Sequence, residues 1–129
     1  MVSKWNRRAL LTLIAALAFG GVARADSIEG MYRVEGNGPG SDQAYSGRAQ
    51  VKKTGATYTI VWQIGEGGHV GTGILTSDVL SVFFQPLDRR GAPGIASFRV
   101  IEGKITGGTW TVLGGNVVGD ERWVPDRGI

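Results

Sequence analysis

The sequence predicts an all-β protein, an eight-stranded up-and-down (meander) barrel. Three observations predict it. After residue 30, large apolar residues recur at every second position in short runs. Glycine-rich turn signals separate the runs at a spacing of 11 or 12 residues. No segment after residue 26 carries a helical period. Short alternating runs at regular spacing indicate a sandwich or a barrel. Short connections favour pairing between successive strands, hence a meander. Eight meandering strands leave two open edges unless they close, which favours the barrel over a two-sheet β-sandwich, the alternative.

The amino-terminal 25 residues read as a signal peptide. Lys4, Arg7 and Arg8 form a basic segment, Ala9 to Gly21 is an apolar run of thirteen residues, and Ala23-Arg24-Ala25 fits a cleavage site. The run is shorter than the about 20 residues that span a bilayer. Export to the periplasm or the medium is therefore expected, with cleavage after Ala25. The Arg7-Arg8 pair leaves a twin-arginine route open beside the general one. Residues 26–129 are expected to form one domain and no membrane span. Of the fourteen Lys and Arg in the chain, four leave with the signal, so ten face eleven Asp and Glu. A near-neutral mature chain gives no reason to expect nucleic-acid binding. The chain has no cysteine, so neither disulfides nor a lipidated cysteine hold it.

The strands justify themselves in order. Tyr32 and Val34 share one face of the first. In the second, Tyr45, Gly47, Ala49 and Val51 face one way, and Ser46, Arg48, Gln50 and Lys52 the other. Tyr58, Ile60, Trp62 and Ile64 mark the third. Gly71 and Gly73 interrupt the fourth, as expected where a strand curves or packs under a large ring such as Trp62. Leu80, Val82 and Phe84 mark the fifth, and Ala96, Phe98 and Val100 the sixth. Glu102-Gly103 is a two-residue hairpin signal. In the seventh, Ile105 and Trp110 lie on opposite parities. A bulge at Gly107-Gly108 would bring both to one face. The eighth strand carries Trp123.

In a meander, alternate loops gather at one end. Turns near 54, 77 and 102 are short, whereas loops at 36–42, 65–69, 85–93 and 113–116 are expected to be longer. They would bring Asp42, Glu66, His69, Asp88, Arg89, Arg90 and Asn116 to one rim, the candidate binding surface on a rigid scaffold. The lumen offers a second candidate site, lined by Tyr45, Tyr58, Trp62, Phe84, Phe98 and Trp110. Eight strands enclose a space that side chains just fill or that holds one small ligand. The strands are short, and a filled lumen is the expectation.

Catalytic signatures are missing. One histidine and no cysteine make a metal site unexpected, and no cofactor motif is present. The Gly65–Gly73 run lacks the ending of a phosphate-binding loop. Asp120 and Glu121 are adjacent, so they point to opposite faces of a strand and read as exposed, solvated carboxylates.

The runs GMYRVEG (30–36), YSGRAQV (45–51), YTIVWQIG (58–65), GTGIL (71–75), LSVFF (80–84) and GGTW (107–110) carry a resemblance. They resemble small exported bacterial proteins, some labelled fibronectin-binding. The architecture is also similar to lipocalin-like and avidin-like barrels. The resemblance implies a barrel and no particular chemistry. The expected function is that of an exported, non-catalytic, monomeric binding or interaction protein with a protein partner. The alternative is a carrier of a small apolar ligand in the lumen. A small hydrolase using His69 or Glu66 is the reading from a third class.

Overall fold

The computed structural model describes residues 28–127. The expected signal segment lies outside them. Eight antiparallel strands follow one another: β1 (Gly30–Asn37), β2 (Ala44–Thr54), β3 (Thr57–Ile64), β4 (Gly67–Thr76), β5 (Val79–Pro86), β6 (Gly94–Ile101), β7 (Lys104–Val112) and β8 (Gly119–Pro125). Each pairs with its chain neighbours, and β1 pairs with β8 from Tyr32 opposite Pro125 to Asn37 opposite Asp120. The barrel is closed, so no edge strand is left unpaired. No helix of the described residues is long and apolar enough to cross a membrane.

The alternating residues point inward as their parity requires. Tyr32, Val34, Ala49, Val51, Tyr58, Ile60, Trp62, Leu80, Val82, Phe84, Ala96, Phe98 and Val100 are all buried. Ile105 is buried as well, and Trp110 packs against this core. The register between β6 and β7 shifts at Arg99/Val100, where Val100 faces Ile105 and Arg99 faces Gly107. Thr106 is the extra residue. The shift cancels the odd spacing and turns Ile105 and Trp110 to the same side.

Glycines make room for the largest rings. A Cβ at Gly71 would stand 3.1 Å from Trp62 Cζ3 and 2.7 Å from the Phe83 carbonyl oxygen. The hairpins at Gly55-Ala56, Ser77-Asp78 and Glu102-Gly103 close one end of the barrel. Glu102 and Gly103 both have positive φ, at 51° and 77°, which suits a two-residue turn between twisted strands.

That short-turn end is filled. Ile28, just before β1, is wholly buried, and its carbonyl accepts the Tyr32 hydroxyl at 2.7 Å. The Ile105 backbone N–H donates to the same hydroxyl at 3.3 Å. Burial drives the Tyr32 phenol above its ordinary range, and the Ile105 N–H opposes the shift.

The other end carries the connections after β1, β3, β5 and β7. Three are long, at 38–43, 87–93 and 113–118. The β3–β4 connection is not. It is the two residues Gly65-Glu66, with φ of 59° at Gly65. The glycines at 67 and 68 belong to β4, and Gly68 lies under the Leu87 side chain. A Cβ at Gly68 would lie 2.6 Å from Leu87 Cδ1. His69 is consequently a strand residue, not a loop residue.

Candidate functional site: a cavity at the long-loop end of the lumen

The lumen is filled at one end only. Towards the long loops it opens into a cavity of about 220 Å³. Its walls come from the strand ends nearest those loops: Tyr45 on β2, Trp62 and Ile64 on β3, His69 on β4, Phe84 on β5, Ala96 and Phe98 on β6, Trp110 on β7 and Glu121 on β8. The expectation of a fully filled lumen is thus corrected. A small residue, Ala96, stands on the inner face here. Side chains of that size do not fill the space that an eight-stranded wall encloses.

Successive rings meet edge to face. Trp62 stands at 61° to Phe84, Phe84 at 72° to Trp110, and Trp110 at 70° to Tyr45, with centroids 5.9, 5.9 and 6.2 Å apart. His69 adds its ring to Phe84 at 5.8 Å and 75°. Such arrangements place the positive edge of one ring towards the negative face of the next. The rings therefore brace one another as walls. Gly94 seats Phe84, since a Cβ there would lie 2.5 Å from the ring's Cζ.

Glu121 is the polar centre. It is 7% exposed, the one charged residue in the buried core of the described residues. Its Oε1 accepts the Tyr45 hydroxyl at 2.5 Å, and its Oε2 accepts the indole N–H groups of Trp62 at 3.0 Å and Trp123 at 2.7 Å. The Tyr45 bond has the length of a hydroxyl donating to a carboxylate. Gly36 makes it possible. It pairs with Tyr45 on one side and Glu121 on the other, and a Cβ there would lie 2.6 Å from the Tyr45 hydroxyl oxygen. Burial pushes the Glu121 carboxyl above its usual range, and the three donors pull it back only in part. Tyr45 is held protonated, first by burial and then by the charge of Glu121.

Two more polar groups belong to this end of the barrel. His69 is held below the usual imidazole range by burial, against the opposing pull of Asp88, so it is neutral near pH 7. The Trp110 indole nitrogen is buried without a hydrogen-bond partner. Its place beside the Tyr45 hydroxyl opposes the rise that burial imposes on that phenol.

The structure divides the sequence-derived candidates. Tyr45, Trp62, Phe84, Phe98 and Trp110 come together around the cavity, whereas Tyr58 is buried at the filled end beneath Lys53. Of the rim set, His69 alone lines the cavity. Asp42, Glu66, Asp88, Arg89, Arg90 and Asn116 are exposed, and no ion pair joins them among the described residues. The Asp88 carboxylate accepts the Arg90 backbone N–H at 2.9 Å, and Arg89 turns the loop with φ of 61°. These are loop-shaping roles. Glu121 escaped the sequence reading, which took it as exposed. The signal was there, because Glu121 and Trp123 share parity in β8 and a tryptophan marks the inner face.

Among the described residues no serine, lysine or arginine lines the cavity. No group of three His, Cys, Asp or Glu side chains among the described residues is placed to hold a metal ion. No family model, no curated protein and no solved structure matches this chain.

Proposed function

We propose that this protein is an exported, non-catalytic binding protein that carries a small apolar or aromatic molecule in the long-loop end of its lumen. The observation that supports the reading is the braced aromatic cavity around Glu121. Ligand sites are concave and mostly apolar, with a few placed polar groups, and this cavity has that make-up. The hydroxyl that touches a base in the cavity is that of Tyr45 on Glu121, and it is held protonated, which leaves the hydrolase reading without an activated nucleophile. The rim reading has less behind it, since its charged residues face solvent singly.

Native mass spectrometry of the chain, purified from its own cells without denaturation, tests the proposal. A bound mass that is absent from Ala96→Phe is the expected result, because Ala96 lines the cavity and a ring there occupies it. A bare polypeptide mass, together with no response of the tryptophan emission to small aromatic compounds, would refute it.

A further inference from the structure

The polar inventory of the cavity specifies its occupant further, given the lumen-carrier reading. Among the described residues Glu121 is the only carboxylate in the lining, and neither lysine nor arginine balances it there. An ionised carboxylate offers about four acceptor positions. Three are taken by Tyr45, Trp62 and Trp123, which leaves one on Oε1. A buried carboxylate without a counter-ion is costly, and a cation placed beside it removes that cost. The remaining wall is aromatic, and aromatic faces attract organic cations, best of all indoles. His69 is neutral and does not compete with such a charge. An anion would meet the Glu121 carboxylate with no basic group to offset it.

We propose that the cavity binds a small organic cation, an amine or quaternary ammonium, with its charge against Glu121 and its apolar body between Trp62, Phe84 and Trp110. At about 220 Å³ the cavity falls below the roughly 300–1,000 Å³ of sites for drug-sized ligands. It equals roughly seven water volumes, so the occupant has on the order of ten non-hydrogen atoms or fewer.

Matched pairs test the charge alone. The purified chain is titrated calorimetrically with choline and with its neutral carbon isostere 3,3-dimethylbutan-1-ol, then with benzylamine and with benzyl alcohol. Each cation is expected to bind about tenfold or more tighter than its partner. That preference should vanish in Glu121→Gln. Equal or tighter binding of the alcohols in the unaltered chain would overturn the cation proposal and leave the lumen-carrier reading standing. A preference that survives in Glu121→Gln would overturn the role of Glu121. Failure of all four to bind would overturn the proposal, and a co-purified mass lost in Ala96→Phe would show whether the carrier reading falls with it. The first comparison uses the unaltered chain, so its outcome does not depend on how well the variant folds.

Discussion

Replacing Glu121 by alanine tests the centre of the site most directly. The carboxylate satisfies two indole N–H groups whose side chains are nearly inaccessible, Trp62 at 4% and Trp123 at 3% exposed. Each buried donor left unpaired costs about 1–3 kcal/mol, so the two together cost roughly 2–6 kcal/mol. The Tyr45 hydroxyl can rotate towards water in the cavity, which an indole N–H fixed in its ring plane cannot do, so it adds little. Removing the carboxylate also removes its desolvation penalty, which offsets part of the loss. A net loss of about 1–4 kcal/mol is expected, a large fraction of the about 5–15 kcal/mol that holds a domain together. Urea unfolding followed by tryptophan emission reads it as a lower midpoint at unchanged slope. Glu121→Gln keeps an oxygen acceptor and should lose less.

The pH dependence carries a sign as well. The folded carboxyl of Glu121 titrates above its unfolded value, so its contribution is fully present below the ordinary carboxylate range, near 4.5. It is lost as pH rises through the folded value. The advantage of the native chain over Glu121→Gln should therefore shrink as the pH is raised from about 4.5 towards 8. His69 titrates in the same cavity but is common to both chains, so it drops out of the difference. An alanine variant as stable as the native chain within about 0.5 kcal/mol would refute the reasoning, as would a native advantage that grows with pH.

Other expectations follow from single contacts. Tyr32→Phe should lower stability by about 1–3 kcal/mol, because it strands the Ile28 carbonyl and weakens the anchoring of the amino-terminal segment at the filled end. Amide exchange at residues 28–32 should rise with it. Gly71→Ala should cost about 1–3 kcal/mol in thermal or urea unfolding, since the new methyl meets the Phe83 carbonyl oxygen and the Trp62 ring, and backbone cannot yield cheaply. His69→Phe should make the protein more resistant to acid. The folded imidazole titrates below its ordinary 6.5, so the stability it supports is present above that value and lost as pH falls through the folded one. Unfolding midpoints between pH 7 and pH 5 check this. Alanine at Arg89 and Arg90 together should leave the midpoint within about 0.5 kcal/mol and ligand retention unchanged, as expected of exposed loop residues.

Most of the fold was legible along the chain. Alternation in strands such as Tyr58–Ile64 and Leu80–Phe84 sets which residues face inward, because a strand has a period of two whatever surrounds it. The turn residues are equally local, and Glu102-Gly103 adopts the positive φ values its hairpin demands. Even the bulge near Gly107 could be read from the parity conflict between Ile105 and Trp110. The candidate site was legible only in part. Its rings were identifiable as inward residues, but which of them border empty space depends on the summed volume of side chains from all eight strands. That is why Tyr58 is packed away and Tyr45 is not. The loop-end position of His69 was foreseen, but Gly67 and Gly68 imitate a turn and belong to a strand, where Gly68 lies under Leu87, a contact the sequence does not show. Glu121 marks the division most clearly. Its charge reads as solvated in the sequence, and burial becomes tolerable only when Tyr45, Trp62 and Trp123, the first two of them 76 and 59 residues away, converge on it. The sequence determined the closed barrel, because periodicity and turn chemistry are local. The cavity and its buried carboxylate were decided by tertiary structure alone, because hydrogen-bond satisfaction and packing volume belong to residues that meet only when the barrel closes.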